Sequence, residues 1–142
     1  MSNEILLSSW IIIHNGDLIL IGKIGLFPWY DIPKWVCEEN ESTLETAMRE
    51  TKEEFWIEVP SCKLKDLWEF EYIPHKKRLY LYEYKLDNFP SLNKLSCNTT
   101  FIRDWIEYPE IVWYSLIPFE DMKYYLCYNM NRVLSSIFLN NK

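Results

Sequence analysis

Three glutamates, Glu50, Glu53 and Glu54, crowd one stretch of the chain, LETAMRETKEEFWIE at residues 44–58, with Arg49 directly ahead of them. The stretch is helical by pattern. Ser42 followed three residues later by Glu45 forms a capping box, and Leu44, Ala47, Met48, Thr51 and Phe55 recur at helical spacing as a core-facing stripe. Pro60 ends the element. At about 100° per residue the stripe centres near Leu44, and the three acids project about 80 to 180° from it, so they are expected to face away from the core. Like charges three or four positions apart repel by roughly 0.2 to 0.5 kcal/mol per pair, so the helix gains nothing from them. A divalent cation would turn that repulsion into shared coordination, and an all-carboxylate site suits Mg2+ or Mn2+. The competing reading is an ordinary solvated helix face.

The rest of the composition narrows the partners. With 142 residues, 49% of them hydrophobic and 17% aromatic, the chain is expected to form one domain, 1–142, with a packed core. A net charge of -6 argues against a broad nucleic-acid surface and leaves room for a local basic pocket that binds a few phosphates. The cysteines at 37, 62, 97 and 127 show no metal-ligand spacing and are expected to be reduced core thiols. The N-terminus lacks the basic start of a secretory signal, and no apolar run approaches about 18 residues. No membrane partner and a cytoplasmic location are expected.

Two β-rich runs flank Asn15-Gly16, a dipeptide suited to a hairpin turn. Residues 26–36 carry two prolines and are expected to be a loop with a short extended piece around Trp29 to Ile32. Two further aromatic runs, KLKDLWEFEYI and RLYLYEYKL, are joined by Pro74 to Lys77 as a second hairpin with a basic tip. EIVWYSL is expected to be another strand. A closing helix is expected from about Phe119 to Leu139, burying Met122, Leu126, Met130, Val133, Leu134 and Ile137. The class is α/β (α+β), a mixed sheet packed between helices.

The acidic stretch resembles the Nudix box, a glycine, five residues, Glu, seven residues, then Arg-Glu-aliphatic-any-Glu-Glu-any-Gly-aliphatic. Glu41 stands at the first acidic position, seven residues separate it from Arg49-Glu50, and Glu53, Glu54 and Ile57 complete the frame. The two glycine positions are held by Trp35 and Trp56. A side chain at positive φ costs on the order of 1 kcal/mol or more, so the departures leave the loop conformation open. The resemblance extends over nearly the whole chain and implies a Nudix α/β/α sandwich.

It also implies chemistry: hydrolysis of a nucleoside polyphosphate by an enzyme using Mg2+ or Mn2+. Glu50, Glu53 and Glu54 would be metal ligands, with Arg49 orienting them and Glu41 supporting the site or capping the helix. Glu83, Glu107 or Glu110 would supply a remote carboxylate. IPKW followed by ESTLETAMRETKEE looks most like dinucleoside tetraphosphate hydrolases. RNA 5' pyrophosphohydrolases and decapping enzymes, nucleotide-pool sanitising enzymes and a non-catalytic binding module are the alternatives. Candidate substrate contacts are Lys34 and Trp35 beside the box, and His75, Lys76, Lys77 and Arg78 at the hairpin tip, each also explicable as an ordinary solvated turn or core plug. Tyr72, Tyr80 and Tyr82 could stack on a base or simply pack.

Overall fold

The computed structural model describes residues 5–24, 30–31, 35–37 and 40–139. Its centre is β1 (Leu6–His14), whose residues from Ser8 onward are all buried. Asn15-Gly16 turns this strand into β2 (Leu18–Ile24). Gly16 takes a φ of 100°, and the Asn15 side-chain oxygen accepts from the amides of Asp17 and Leu18 at 3.0 and 2.8 Å. The side chain thus closes the turn that its sequence predicts.

Two very short strands follow, β3 (Tyr30–Asp31) and β4 (Trp35–Val36). The former matches the extended piece expected near Trp29 to Ile32, the two ends of which lie outside the described residues. The latter was not expected. The acidic helix is α1 (Thr43–Phe55), opened by the capping box with both reciprocal bonds, Glu45 N to Ser42 Oγ and Ser42 N to Glu45 Oε1, each at 3.1 Å. After it come β5 (Lys65–Ile73) and β6 (Lys77–Lys85), the second hairpin.

The sheet runs β3-β2-β1-β6-β5, with β4 paired to the start of β1 and β9 (Ile111–Pro118) paired to β2. It is mixed because β1 and β6 run parallel from Leu6 opposite Lys77 to His14 opposite Lys85. A separate ribbon, β7 (Thr100–Arg103) with β8 (Ile106–Pro109), turns at Asp104 and Trp105, both at positive φ. It was not foreseen, because neither turn residue is a glycine or asparagine.

The closing helix is broken. A 3-10 turn at Phe119–Asp121 leads to α2 (Met122–Tyr125), the backbone extends at Leu126 and Cys127, and α3 (Tyr128–Phe138) resumes. The expected inner side chains are nonetheless correct, with Met122, Leu126, Met130, Val133 and Leu134 buried and Ile137 half-buried. Ser9 and His14 lie an odd number of residues apart in β1 and so present to opposite faces. Ser9 Oγ donates to Thr43 O of α1 at 2.9 Å, whereas the His14 ring sits 5.0 Å from that of Phe138 in α3. Helices therefore cover both faces of the sheet. Among the described residues, none is long and apolar enough to cross a membrane.

Candidate active site

The helix α1 buries more than its apolar stripe. Ala47, Thr51 and Phe55 are buried as expected, but so are Thr46, Glu50 and Glu54, with Glu50 6% exposed and Glu54 fully covered. The expectation that all three acids face away from the core is therefore corrected, and only the Glu53 side chain is substantially open. The cause is tertiary. Tyr114 of β9 stacks edge-on against Phe55 at 5.0 Å and donates its hydroxyl to Glu54 O, covering the flank that periodicity left to solvent.

Arg49 gathers the acids. Its Nε donates to Glu41 Oε2 at 2.8 Å and its Nη2 to Glu41 Oε1 at 3.0 Å, while Nη1 is shared between Glu50 Oε1 at 2.7 Å and Glu53 Oε2 at 3.1 Å. Thr46 Oγ1 adds a 2.7 Å bond to Glu41 Oε1. Bonding to Glu41 raises the Arg49 pKa well above its ordinary value, with Glu50 contributing. Burial pushes the Glu50 carboxyl up to about 7 against the pull of Arg49, and the neighbouring charges of Glu53 and Glu41 add to the rise. One guanidinium thus faces three carboxylates. Among the described residues no group of three acids, histidines or cysteines is spaced to hold a metal ion, and Glu41, Glu50 and Glu53 are instead bonded to Arg49.

Of the outlying carboxylates, Glu110 lies within electrostatic reach of Glu50, whereas Glu83 pairs elsewhere. Glu110 lies just before β9, its amide bonded to Thr99 O at 3.0 Å, and its carboxyl is pushed up to about 7 by burial and then by the charge of Glu50. Glu83 Oε2 instead sits 2.9 Å from Nε2 of His14, whose ring packs edge-on against Phe119 and Phe138. Glu107 is exposed on β8.

The other candidates scatter. Tyr72 is buried, its hydroxyl 3.2 Å from Cys127 Sγ under α3, which removes it from any stacking surface. His75 and Lys76 are exposed in the turn between β5 and β6, Lys77 pairs with Leu6, and Arg78 forms an ion pair with Glu69 at 3.2 Å. Lys34 lies outside the described residues. The backbone of Trp35 is extended in β4 opposite Ser9, so this glycine position carries a tryptophan within an ordinary strand. Trp56 behaves differently. It caps α1 in the left-handed region at φ 61° and ψ 35°, its amide bonded to Lys52 O, and keeps about half of its surface exposed. The cysteines are free, but Cys62 is exposed in a 3-10 turn rather than held in the core.

Several supports escaped sequence reasoning. The Asn98 amide donates to Glu53 O at 2.7 Å, satisfying one of the carbonyls left open at the end of α1. Thr43 Oγ1 lies 2.7 Å from Tyr82 OH and ties the start of α1 to β6. Both are contacts across long separations, for which no local signal exists.

This topology, with the acidic helix docked on β1, is the Nudix fold. No family model matches the chain, and no curated protein sequence matches it, but 279 chains of known structure do. The Escherichia coli dihydroneopterin triphosphate pyrophosphohydrolase aligns over 96% of this chain and 99% of its own, with a TM-score of 0.68 and 16% identity. The Nudix domain of Shewanella oneidensis NrtR, solved with ADP-ribose, aligns over 94% and 86%, with a TM-score of 0.69 and 12% identity. MutT from Aliivibrio salmonicida and Vibrio cholerae gives 96% and 98%, 0.64 and 16%. At such identities the likeness carries the fold, and the chemistry must be argued from the residues.

Proposed function

We propose that residues 1–142 form a single Nudix-like domain that hydrolyses a phosphoanhydride of a nucleoside polyphosphate in the cytoplasm, with Mg2+ or Mn2+ as cofactor. The observation that carries this is the charge balance at Arg49. One guanidinium is bonded to three carboxylates, Glu41, Glu50 and Glu53, while Glu54 is buried one residue beyond. Buried like charges are costly unless something compensates them, and the single charge of Arg49 stands against those of Glu41, Glu50 and Glu54, which are largely covered, as well as the more open Glu53.

The donor chemistry fits a hard dication, since every candidate ligand is a carboxylate oxygen. Glu50, Glu53 and Glu54 would hold it, with Glu41 in support. When bound, such an ion neutralises phosphate oxygens and lowers the pKa of a coordinated water. The chain's own groups do the rest. Arg49 holds Glu41 by two bonds and sets the orientation of Glu50 and Glu53. Glu110, on a different element and within reach of the Glu50 charge, would be the outlying carboxylate in place of Glu83. Burial of Glu50 and Glu54 limits water around the reacting phosphate and strengthens charge interactions there.

The substrate class favoured is a dinucleoside polyphosphate such as diadenosine tetraphosphate, on the likeness of the IPKW approach and the helix sequence. A 5'-triphosphorylated or capped RNA end and a modified nucleoside triphosphate are the other members of the panel that tests it. Product identification with Mn2+ or Mg2+ should show two phosphorylated products from one of these. Glu53→Gln and Glu54→Gln should abolish that turnover in folded protein, and full activity in both would overturn the assignment.

A second reading has one observation behind it. The acids are already gathered by Arg49 rather than arrayed around a point, which suits a nucleotide-binding module without turnover. The NrtR Nudix domain solved with ADP-ribose shows that a domain of this fold binds such a ligand. Melting temperature with added Mg2+ or Mn2+ separates the two, since only a native ion site raises it.

A further inference from the structure

Trp68 stands in β5 with a φ of 77°, in the left-handed region that a bulky side chain rarely adopts. The register between β5 and β6 slips at this point, from Asp66 opposite Tyr82 to Trp68 opposite Leu81, so the residue sits on a β-bulge. Asp66 holds the bulge in place. Its Oδ1 accepts from the Trp68 amide at 2.8 Å and its Oδ2 from the Tyr80 hydroxyl at 2.6 Å. One carboxylate therefore fixes both the backbone of the tryptophan and the neighbouring phenol.

The rings form a series. Trp68 and Tyr80 are 5.7 Å apart between centroids, Tyr80 and Tyr82 5.2 Å, and Tyr82 reaches the first residue of α1 through Thr43. Trp68 is 68% exposed at the outer end. A bulge on an edge strand also discourages pairing with other chains, but a charged residue does that without displaying an indole. Strain of this kind concentrates where a ligand is held.

We infer that Trp68 and Tyr80, backed by the buried ring of Tyr82, form a shelf for the flat heteroaromatic base of the nucleotide, with the Trp68 indole as its open stacking face. The placement rests on the phosphohydrolase reading for the other end of the ligand. Thr43 and Glu50, seven residues apart, share a face of α1 and are separated by roughly 10 Å along its axis. A ribose and its phosphates would fill that interval between shelf and acids.

The test reads binding rather than turnover. In a metal-free buffer the Trp68 indole N–H resonance is assigned by its loss in Trp68→Phe, and adenosine, guanosine, cytidine and uridine are titrated against ribose 5-phosphate. At least one nucleoside should shift that resonance while ribose 5-phosphate leaves it in place. Trp68→Ala should then weaken the matching nucleoside diphosphate by about 5- to 150-fold, the range of single base–aromatic stacks, and leave inorganic pyrophosphate unaffected. No movement with any nucleoside, equal movement with ribose 5-phosphate, or an unchanged affinity in Trp68→Ala overturns the shelf. Turnover with a neutral Trp68→Ala would sink the shelf and keep the hydrolase, whereas base binding without turnover on any substrate would do the reverse.

Discussion

Arg49 reaches back along its own helix to grip both carboxylate oxygens of Glu41, Nε to Oε2 at 2.8 Å and Nη2 to Oε1 at 3.0 Å. This two-point hold needs the planar fork of a guanidinium, and lysine cannot reproduce it. Arg49→Lys preserves the charge and loses the orientation. Its kcat on the preferred nucleotide should fall about 10- to 100-fold, as for other groups that orient metal ligands. Steady-state kinetics decide this, and an unaltered kcat would remove Arg49 from the machinery.

Glu50 should be a liability to the metal-free protein. Its carboxyl binds a proton more tightly in the folded chain, near pH 7, than at the ordinary value of 4.5, so folded-state stability falls as pH rises from about 4.5 through 7. Glu50→Gln removes that charge. Calorimetry in a chelating buffer should find the variant more stable than wild type at pH 8 by up to roughly 3 kcal/mol, each tenfold in proton affinity being worth about 1.4 kcal/mol. The gap should close by pH 5. Equal stability at pH 8 would mean that burial of Glu50 is harmless.

What the sequence discloses about such a chain depends on whether the cause is local. Asn15-Gly16 and the Ser42/Glu45 box act within a few residues, and both turned out as read. The Arg49 network spans one helix and its approach, so its members could be named together from spacing. Burial of Glu54 could not be inferred, because Tyr114 does the covering from sixty residues away. Tyr72 failed as a stacking residue for a similar reason, since alternation alone does not tell which face of β5 meets α3. Trp68 offered the least warning: a bulge is a property of two strands together.

His14 provides a second titration, remote from the acids. Its Nδ1 accepts from the Gly16 amide at 3.0 Å, which places the ring proton on Nε2, toward Glu83. Burial lowers its pKa below 6.5 despite Glu83, with Lys85 adding to the fall. The unfolded chain therefore takes up this proton first as pH drops, and the contribution of His14 to stability, opposite in sign to that of Glu50, is lost below about pH 6.5. Urea unfolding at pH 7.5 and 5.5 should show a smaller loss in His14→Gln than in wild type. An identical loss would show that His14 accepts its proton freely while folded.

Trp56 offers a way to gain stability. It holds a left-handed backbone at the end of α1, which costs a non-glycine residue about 1 kcal/mol, and much of its indole is in water. Trp56→Gly should raise the urea midpoint by an amount equivalent to up to about 1 kcal/mol. A lower midpoint would mean that indole contacts outweigh the backbone strain.

The parallel pairing of β1 with β6 has a bearing on how the protein is made. Strands that meet in the finished sheet are separated by about seventy residues of chain, with the acidic helix lying between them. Such distant partners give high contact order and slow folding. During synthesis the helix emerges well before the strand that completes its platform, so its glutamates stay in water until Lys77 to Lys85 have left the ribosome and closed the sheet beside β1. The carboxylates acquire their final surroundings later still, when Tyr114 of β9 emerges and covers Glu54.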